Sequence, residues 1–235
     1  MNKYTDIFFD FDDTLYDTHG NSTIALKELY QEAHLDQYYN NENKWVEAYW
    51  YANVLLWGKY AKGEISRDTL MVERFRMPLQ QGSCKHPSNE YCLELSDRFL
   101  MLSSAKSGLV EGARQVLNYL RQKGYRLHLC SNGFHEVQYK KLANTQLTDY
   151  FQSVILSEDA GANKPSAQFF DYAFKVSKAS PEATLMIGDN YTTDIEGAMN
   201  VGLDAMLFNR WDSSFAPPKT VTYIVNKLTD IVSIL

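Results

Sequence analysis

The stretch Ile7-Phe8-Phe9-Asp10-Phe11-Asp12-Asp13-Thr14-Leu15 sets a short apolar run directly before two carboxylates two positions apart. Such a run, followed at once by polar residues, reads as a strand that ends at a site. The figure recurs downstream. Leu127 to Cys130 precedes Ser131 and Asn132, Val154 to Leu156 lies upstream of Lys164, and Leu185 to Ile187 precedes Asp189 and Asp194. Ala205 to Phe208 is a fifth run and Val221 to Val225 a weaker sixth. Amphipathic stretches fill the spaces, which is the pattern of a parallel sheet with crossover helices. Helices are expected over Gly112 to Lys123, stopped by Gly124, around Phe169 to Val176, over Ile195 to Val201, stopped by Gly202, and over Ile224 to Leu235.

Only the first run lacks a crossover helix of its own. Residues 16–104 intervene, and they read as helices over Thr23 to Ala33, Lys44 to Lys62, Arg67 to Phe75 and Tyr91 to Leu102. The expected organisation is therefore an α/β, Rossmann-like core from residues 1–15 and 105–235, with an all-helical cap over 16–104. Gly20 with Asn21, and Ser103, Ser104 and Gly108, offer flexible connections where a cap could hinge.

Composition narrows the function. The net charge of -6 leaves no basic stripe for a nucleic-acid polymer. No segment is long enough to cross a membrane, and the N-terminus is unlike a signal peptide. Cys84, Cys92 and Cys130 are odd in number and lack paired short spacing, so neither a disulfide framework nor a zinc ribbon is supported. A cytoplasmic setting fits these features.

In an open parallel sheet, ligands bind outside the carboxyl ends of the strands, and the polar residues above all fall on that edge. Three carboxylates converging there repel one another unless a cation neutralises them, and hard oxygen donors without a histidine or cysteine cluster point to Mg2+. A metal, a lysine and a hydroxyl describe a site for a phosphoryl group. A carboxylate supplies a nucleophile, and a second one two residues along can protonate the leaving alkoxide and then activate water. Asp10 and Asp12 take those roles.

These residues resemble the haloacid dehalogenase superfamily. Asp10-Phe11-Asp12-Asp13-Thr14-Leu15 matches its first motif, Ser131-Asn132-Gly133 the second, Lys164-Pro165 the third, and Gly188-Asp189-Asn190-Tyr191-Thr192-Thr193-Asp194 the fourth, in order. The resemblance implies Asp10 as nucleophile and Asp12 as general acid/base. It implies Ser131, Asn132 and Lys164 as phosphoryl ligands. The metal ligands would be Asp10, the backbone carbonyl of Asp12 and Asp189, with Asp194 acting through water or from a second layer. It also implies a helical cap that closes over the site and selects substrates. Ser131 to Phe134, Ser157 to Asp159 and Phe169 to Ala173 are similar to bacterial nucleoside monophosphate phosphatases. The expected substrate is a small phosphorylated metabolite, a nucleoside 5'-monophosphate first, on a monomer or homodimer.

Alternatives remain at this point. A sugar-phosphate phosphatase or a phosphosugar mutase shares the same core chemistry. A receiver-like signalling domain also pairs acids with a phosphorylatable aspartate, but its acceptor ends the third strand, whereas Asp10 ends the first. A non-catalytic binding protein is disfavoured because every chemical position is filled by a competent residue. Family dehalogenases lack an acid/base aspartate at the position of Asp12, and nothing singles out Lys27, Lys44, Lys59 or Lys62 as the imine-forming lysine of a phosphonate hydrolase.

Several residues have plainer readings. Asp13 and Thr14 read as loop formers, Glu158 and Asp159 as solvated loop charges, and Cys130 as a small filler of a buried strand. The five histidines do not cluster. Of the cap aromatics, Trp50 and Trp57 fall on a helical stripe with Val46, Val54 and Ala61 that is expected to bury itself. Tyr51 and Tyr60 lie off it and are left as base contacts.

Overall fold

The structure is a computed structural model that describes residues 3–212 and 214–235. The chain divides into two compact units, Met1–Thr18 with Ser107–Leu235, and His19–Lys106. The sequence places these boundaries at 15/16 and 104/105; the structure places them at 18/19 and 106/107. Gly20 and Asn21, expected at a hinge, lie within a helix, and Ser103 and Ser104 close another.

Along the chain, β1 (Asp6–Phe9) is followed by the four helices of the inserted unit, α1 (Thr18–Glu32), α2 (Glu42–Ala61), α3 (Arg67–Gln81) and α4 (Asn89–Ser104). The core resumes with α5 (Ala113–Gln122), β2 (Arg126–Ser131), α6 (His135–Thr145), β3 (Ser153–Leu156), α7 (Ser157–Ala160) and α8 (Ala167–Ser177). It ends with β4 (Thr184–Gly188), a wide helical turn over Tyr191–Glu196, α9 (Gly197–Asn200), β5 (Asp204–Phe208), β6 (Tyr223–Val225) and α10 (Ile231–Ile234).

The six strands form one parallel sheet in the order β3-β2-β1-β4-β5-β6. β1 is central, and its two neighbours are reached in opposite directions along the sheet, so its carboxyl end lies at a switch in strand order. The period of two along a strand sorts the core into two layers. Ile7, Phe9, Leu127, Leu129, Leu185 and Ile187 pack on one face with Val116, Leu117 and Leu120 of α5. Phe8, Cys130, Ile155 and Met186 pack on the other with Phe169, Phe170 and Ala173 of α8. Cys130 is thus a buried filler, and burial pushes its thiol pKa up.

In the inserted unit, Asn41, Ser66 and Ser88 start α2, α3 and α4 by accepting hydrogen bonds from backbone N–H groups of the first turns. The buried stripe of α2 differs from the expected one: Trp45, Tyr49, Ala52 and Leu56 face inward, whereas Val54 is 70% exposed. Two registers one residue apart have the same helical spacing. The one that buries Trp45 and Tyr49 against Phe75 and Phe99 packs the larger rings inside. Tyr51 is exposed, and Tyr60 stands edge-on to Trp57.

Two further expectations are corrected. The C-terminal segment is not one helix: Tyr223–Val225 pairs with β5, and helix is confined to the turns from Leu228 onward. The span Ile195 to Val201 begins four residues earlier, as the wide turn that Asn190 starts by accepting from the N–H groups of Thr192 and Thr193, both at 3.1 Å.

At the amino edge of the sheet, buried Asp6 accepts from Arg126 at 2.6 Å and meets Nε2 of His128 at 2.9 Å, while His128 Nδ1 lies 2.6 Å from the Ser153 hydroxyl. Burial lowers the His128 pKa below 6.5, and the Asp6 carboxylate only partly offsets this. In the unfolded chain His128 protonates near 6.5, in the fold only at lower pH, so stability held above pH 6.5 is lost as pH falls below it. The urea midpoint should drop between pH 7 and pH 5 by more in the native chain than in His128→Asn. Parallel curves for the two proteins would show that the imidazole protonates inside the fold without penalty.

Candidate active site

β1 delivers Asp10, β2 delivers Ser131, and the turn after β4 delivers Asp189 and Asp194, all at the carboxyl edge of the sheet. Lys164, from the segment before α8, projects between them and is almost wholly buried. Its ammonium donates to Asp10 Oδ1 at 2.8 Å, to Asp194 Oδ1 at 2.7 Å and to the Cys130 carbonyl at 2.7 Å, which uses all three of its hydrogens. Burial works against the charged lysine, but Asp10 and Asp194 outweigh it and raise its pKa above the usual value.

Asn132 does not point its amide into this cluster. Its oxygen accepts from the Lys164 N–H at 2.8 Å and its nitrogen donates to the Lys164 carbonyl at 3.0 Å, so it fixes the backbone that carries the lysine. Asp194 accepts from the Asn190 N–H at 3.1 Å through its second oxygen, while Asn190 itself caps the turn. Gly188 makes that approach possible, because a Cβ there would lie 2.3 Å from an Asp194 carboxylate oxygen.

Sequence reading missed several residues. Thr14, read as a loop former, places its hydroxyl 3.1 Å from both Asp10 Oδ2 and Asp189 Oδ1 and accepts the Asp189 N–H at 3.0 Å. Asp13 adopts a left-handed backbone with φ 61 and pairs with Arg210, which also holds Asp17 and so pins the loop carrying Asp12. Glu158 accepts from the His135 N–H at 2.7 Å, at the start of α6. Asp12 turns its carboxylate toward Thr18, Gln138 and Lys141. No apolar repeat marks Gln138 and Lys141; the only signal was their i, i+3 spacing downstream of Ser131.

The electrostatics separate the two acids of the first loop. Burial, with Asp194 and Asp12 nearby, pushes Asp10 up to about 7 against the pull of Lys164. Burial also acts on Asp12, but Lys141, Thr18 and Gln138 prevail and hold it below the ordinary carboxylate value. Asp189 is raised well above that value by burial and by Asp10, Asp194 and Asp13. Oxygens of Asp10, Asp189 and Asp194 lie within 4.8 Å of one another, and among the described residues no cation pairs with Asp189. The protein's own charges leave the cluster one cation short, and its all-oxygen donor set suits a hard divalent ion such as Mg2+.

Fold and cluster together define a hydrolase of the haloacid dehalogenase-like family, and residues 7–202 match that family; the chain belongs to it. It is 30% identical over 236 residues, with 100% of this chain and 97% of the relative covered, to the HAD-hydrolase YfnB of Bacillus subtilis. It is 29% identical over 234 residues, covering 99% of this chain and 95% of the relative, to the pyrimidine 5'-nucleotidase PynA of Streptococcus pneumoniae. The crystal structure of YfnB bound to magnesium superposes with a TM-score of 0.88 at 29% identity, covering 100% of this chain and 99% of that one.

If the cluster holds a metal, saturating Mg2+ should raise the melting temperature of the native chain by roughly 5 °C, since a ligand at about a hundred times its dissociation constant stabilises by about 2.7 kcal/mol. Asp189→Asn should abolish the rise. A full shift in that variant would place the ion elsewhere.

Proposed function

We propose that the chain is a Mg2+-dependent phosphomonoester hydrolase that works through an aspartyl-phosphate intermediate, with nucleoside 5'-monophosphates as its substrates. The observation that carries this reading is the buried Lys164 ammonium bound to Asp10, beside the Ser131 hydroxyl. The ammonium holds the Asp10 carboxylate, and the Ser131 hydroxyl, at the end of the neighbouring strand, offers a hydrogen-bond donor at the same sheet edge.

Asp10 attacks phosphorus through a carboxylate oxygen, and the bond to the leaving oxygen breaks. Lys164 and Ser131 offset the charge that spreads over the equatorial oxygens. Asp12, two residues along the same loop and ionised at rest against Lys141, takes up a proton from solvent, gives it to the departing alkoxide and then takes one from the water that splits the acyl phosphate. Mg2+, held by Asp10, the Asp12 carbonyl and Asp189 with Asp194 behind them, would neutralise carboxylate and phosphoryl charge. Asn132 serves this step by keeping Lys164 in place.

The nucleotide substrate rests on likeness to PynA along nearly the whole chain. Phosphate release from nucleoside 5'-monophosphates and sugar phosphates, with Mg2+ or chelator, tests both parts. The native chain should release phosphate only with Mg2+ and fastest from a pyrimidine nucleotide, while Asp10→Asn should lose at least ~1000-fold in kcat. Release by Asp10→Asn at the native rate would exclude the covalent route, and preference for a sugar phosphate would exclude the nucleotidase assignment.

A further inference from the structure

Helix α6 turns an unusual face to the site. Gln138 and Lys141, one helical turn apart, are both buried, and both reach the loop after β1. Gln138 Nε2 donates to Asp12 Oδ2 at 2.5 Å and to the Ser131 hydroxyl at 2.7 Å. Lys141 Nζ donates to Asp12 Oδ1 at 2.5 Å and sits 4.9 Å from the centre of the Tyr16 ring. With Thr18 as a third donor, both oxygens of Asp12 accept hydrogen bonds.

The Gln138 amide cannot turn over. Its Oε1 is buried with no partner among the described residues, an arrangement that costs stability. Reversing the amide would set that oxygen against the Asp12 carboxylate, so the orphan oxygen is the lesser penalty. The approach is also sterically reserved, since a Cβ on Gly133 would lie 1.8 Å from Gln138 Nε2.

Ser131 follows from the same bond. Its oxygen accepts from the Gly133 N–H at 3.0 Å and from Gln138, which fills both lone pairs. Its own hydrogen has no acceptor among the described residues and is free for an oxygen of a bound phosphoryl group.

We propose that Gln138 and Lys141 are positioning residues for the acid/base step: together they fix the Asp12 carboxylate, and Gln138 also turns the Ser131 hydroxyl into an obligate donor. The inference rests on the phosphatase reading above. It differs from a packing role in what it predicts about leaving groups. An alkoxide needs the proton that Asp12 delivers, whereas p-nitrophenolate departs without one, and kcat/KM reports only the steps up to that departure.

The test is kcat/KM for p-nitrophenyl phosphate and for uridine 5'-monophosphate, or whichever alkyl phosphate of the panel turns over fastest. Lys141→Met, which keeps the unbranched stem, should lose ~30-fold or more on the alkyl phosphate and less than ~3-fold on the aryl one. Lys141→Gln, read in the same way, guards against a folding defect in the first variant. Gln138→Leu, which also frees Ser131, should slow both substrates and the alkyl one more. Equal losses on both substrates in both Lys141 variants, with an active native chain, would overturn the inference and leave the phosphatase reading intact. A native chain that hydrolyses neither substrate would overturn both.

Discussion

The carboxyl edge of the sheet is organised by one buried ammonium. Lys164 has almost no contact with solvent, and a lysine in that position is tolerable only if its charge is matched and all its hydrogens are used. Asp10, Asp194 and the Cys130 carbonyl meet that requirement, and they come from β1, the turn after β4 and β2. The three strands must therefore be neighbours in parallel, as they are in the order β2-β1-β4. Asn132, from the loop after β2, grips the Lys164 backbone on both its N–H and its carbonyl, so the lysine is fixed at its root as well as at its tip.

Close approach is the second constraint. Gly188 and Gly133 lie where any Cβ would run into Asp194 or Gln138. Each is needed less for backbone freedom than for the space that a missing side chain leaves. Thr14 is the third small group in this crowded layer. A single hydroxyl hydrogen serves two carboxylates, Asp10 and Asp189, while the Thr14 oxygen accepts the N–H of Asp189. The loop after β1 and the turn after β4 are locked together through it.

What the sequence discloses depends on whether packing or polarity made the pattern. The strands were legible because each is a run of apolar residues cut off by a polar one at the site edge. α6 was not, because its inner face holds Gln138, Lys141 and Thr145 beside Val137 and Leu142. A search for apolar periodicity passes over a helix whose buried face is polar, and this face is polar where it meets Asp12 and Ser131. The four-residue offset at Tyr191–Glu196 has a similar origin: Asn190 caps the turn while Asp194, within it, faces Lys164. In the inserted unit the difficulty was different. Two registers of α2 share one period, and only the partners on α3 and α4 decide which is buried.

Asp10 and Asp12 show how one loop makes two unlike acids. They are two residues apart, Asp10 buried and Asp12 half-buried, and their pKa values move in opposite directions. The neighbours account for this. Asp10 faces Asp194 and Asp189 with a single lysine to offset them, whereas Asp12 faces Lys141 and two neutral donors. Environments that drive a pair of carboxyl groups apart are the means by which a protein assigns different roles to the same chemistry. For Asp10 the protein groups alone push the pKa up to about 7, because burial and the neighbouring carboxylates outweigh Lys164. A divalent cation among these carboxylates would favour their ionised forms. The same charge that relieves the repulsion between Asp10 and Asp189 would then make Asp10 ready to attack. Under the proposed mechanism, stability of the edge and reactivity of Asp10 would both depend on that single binding event.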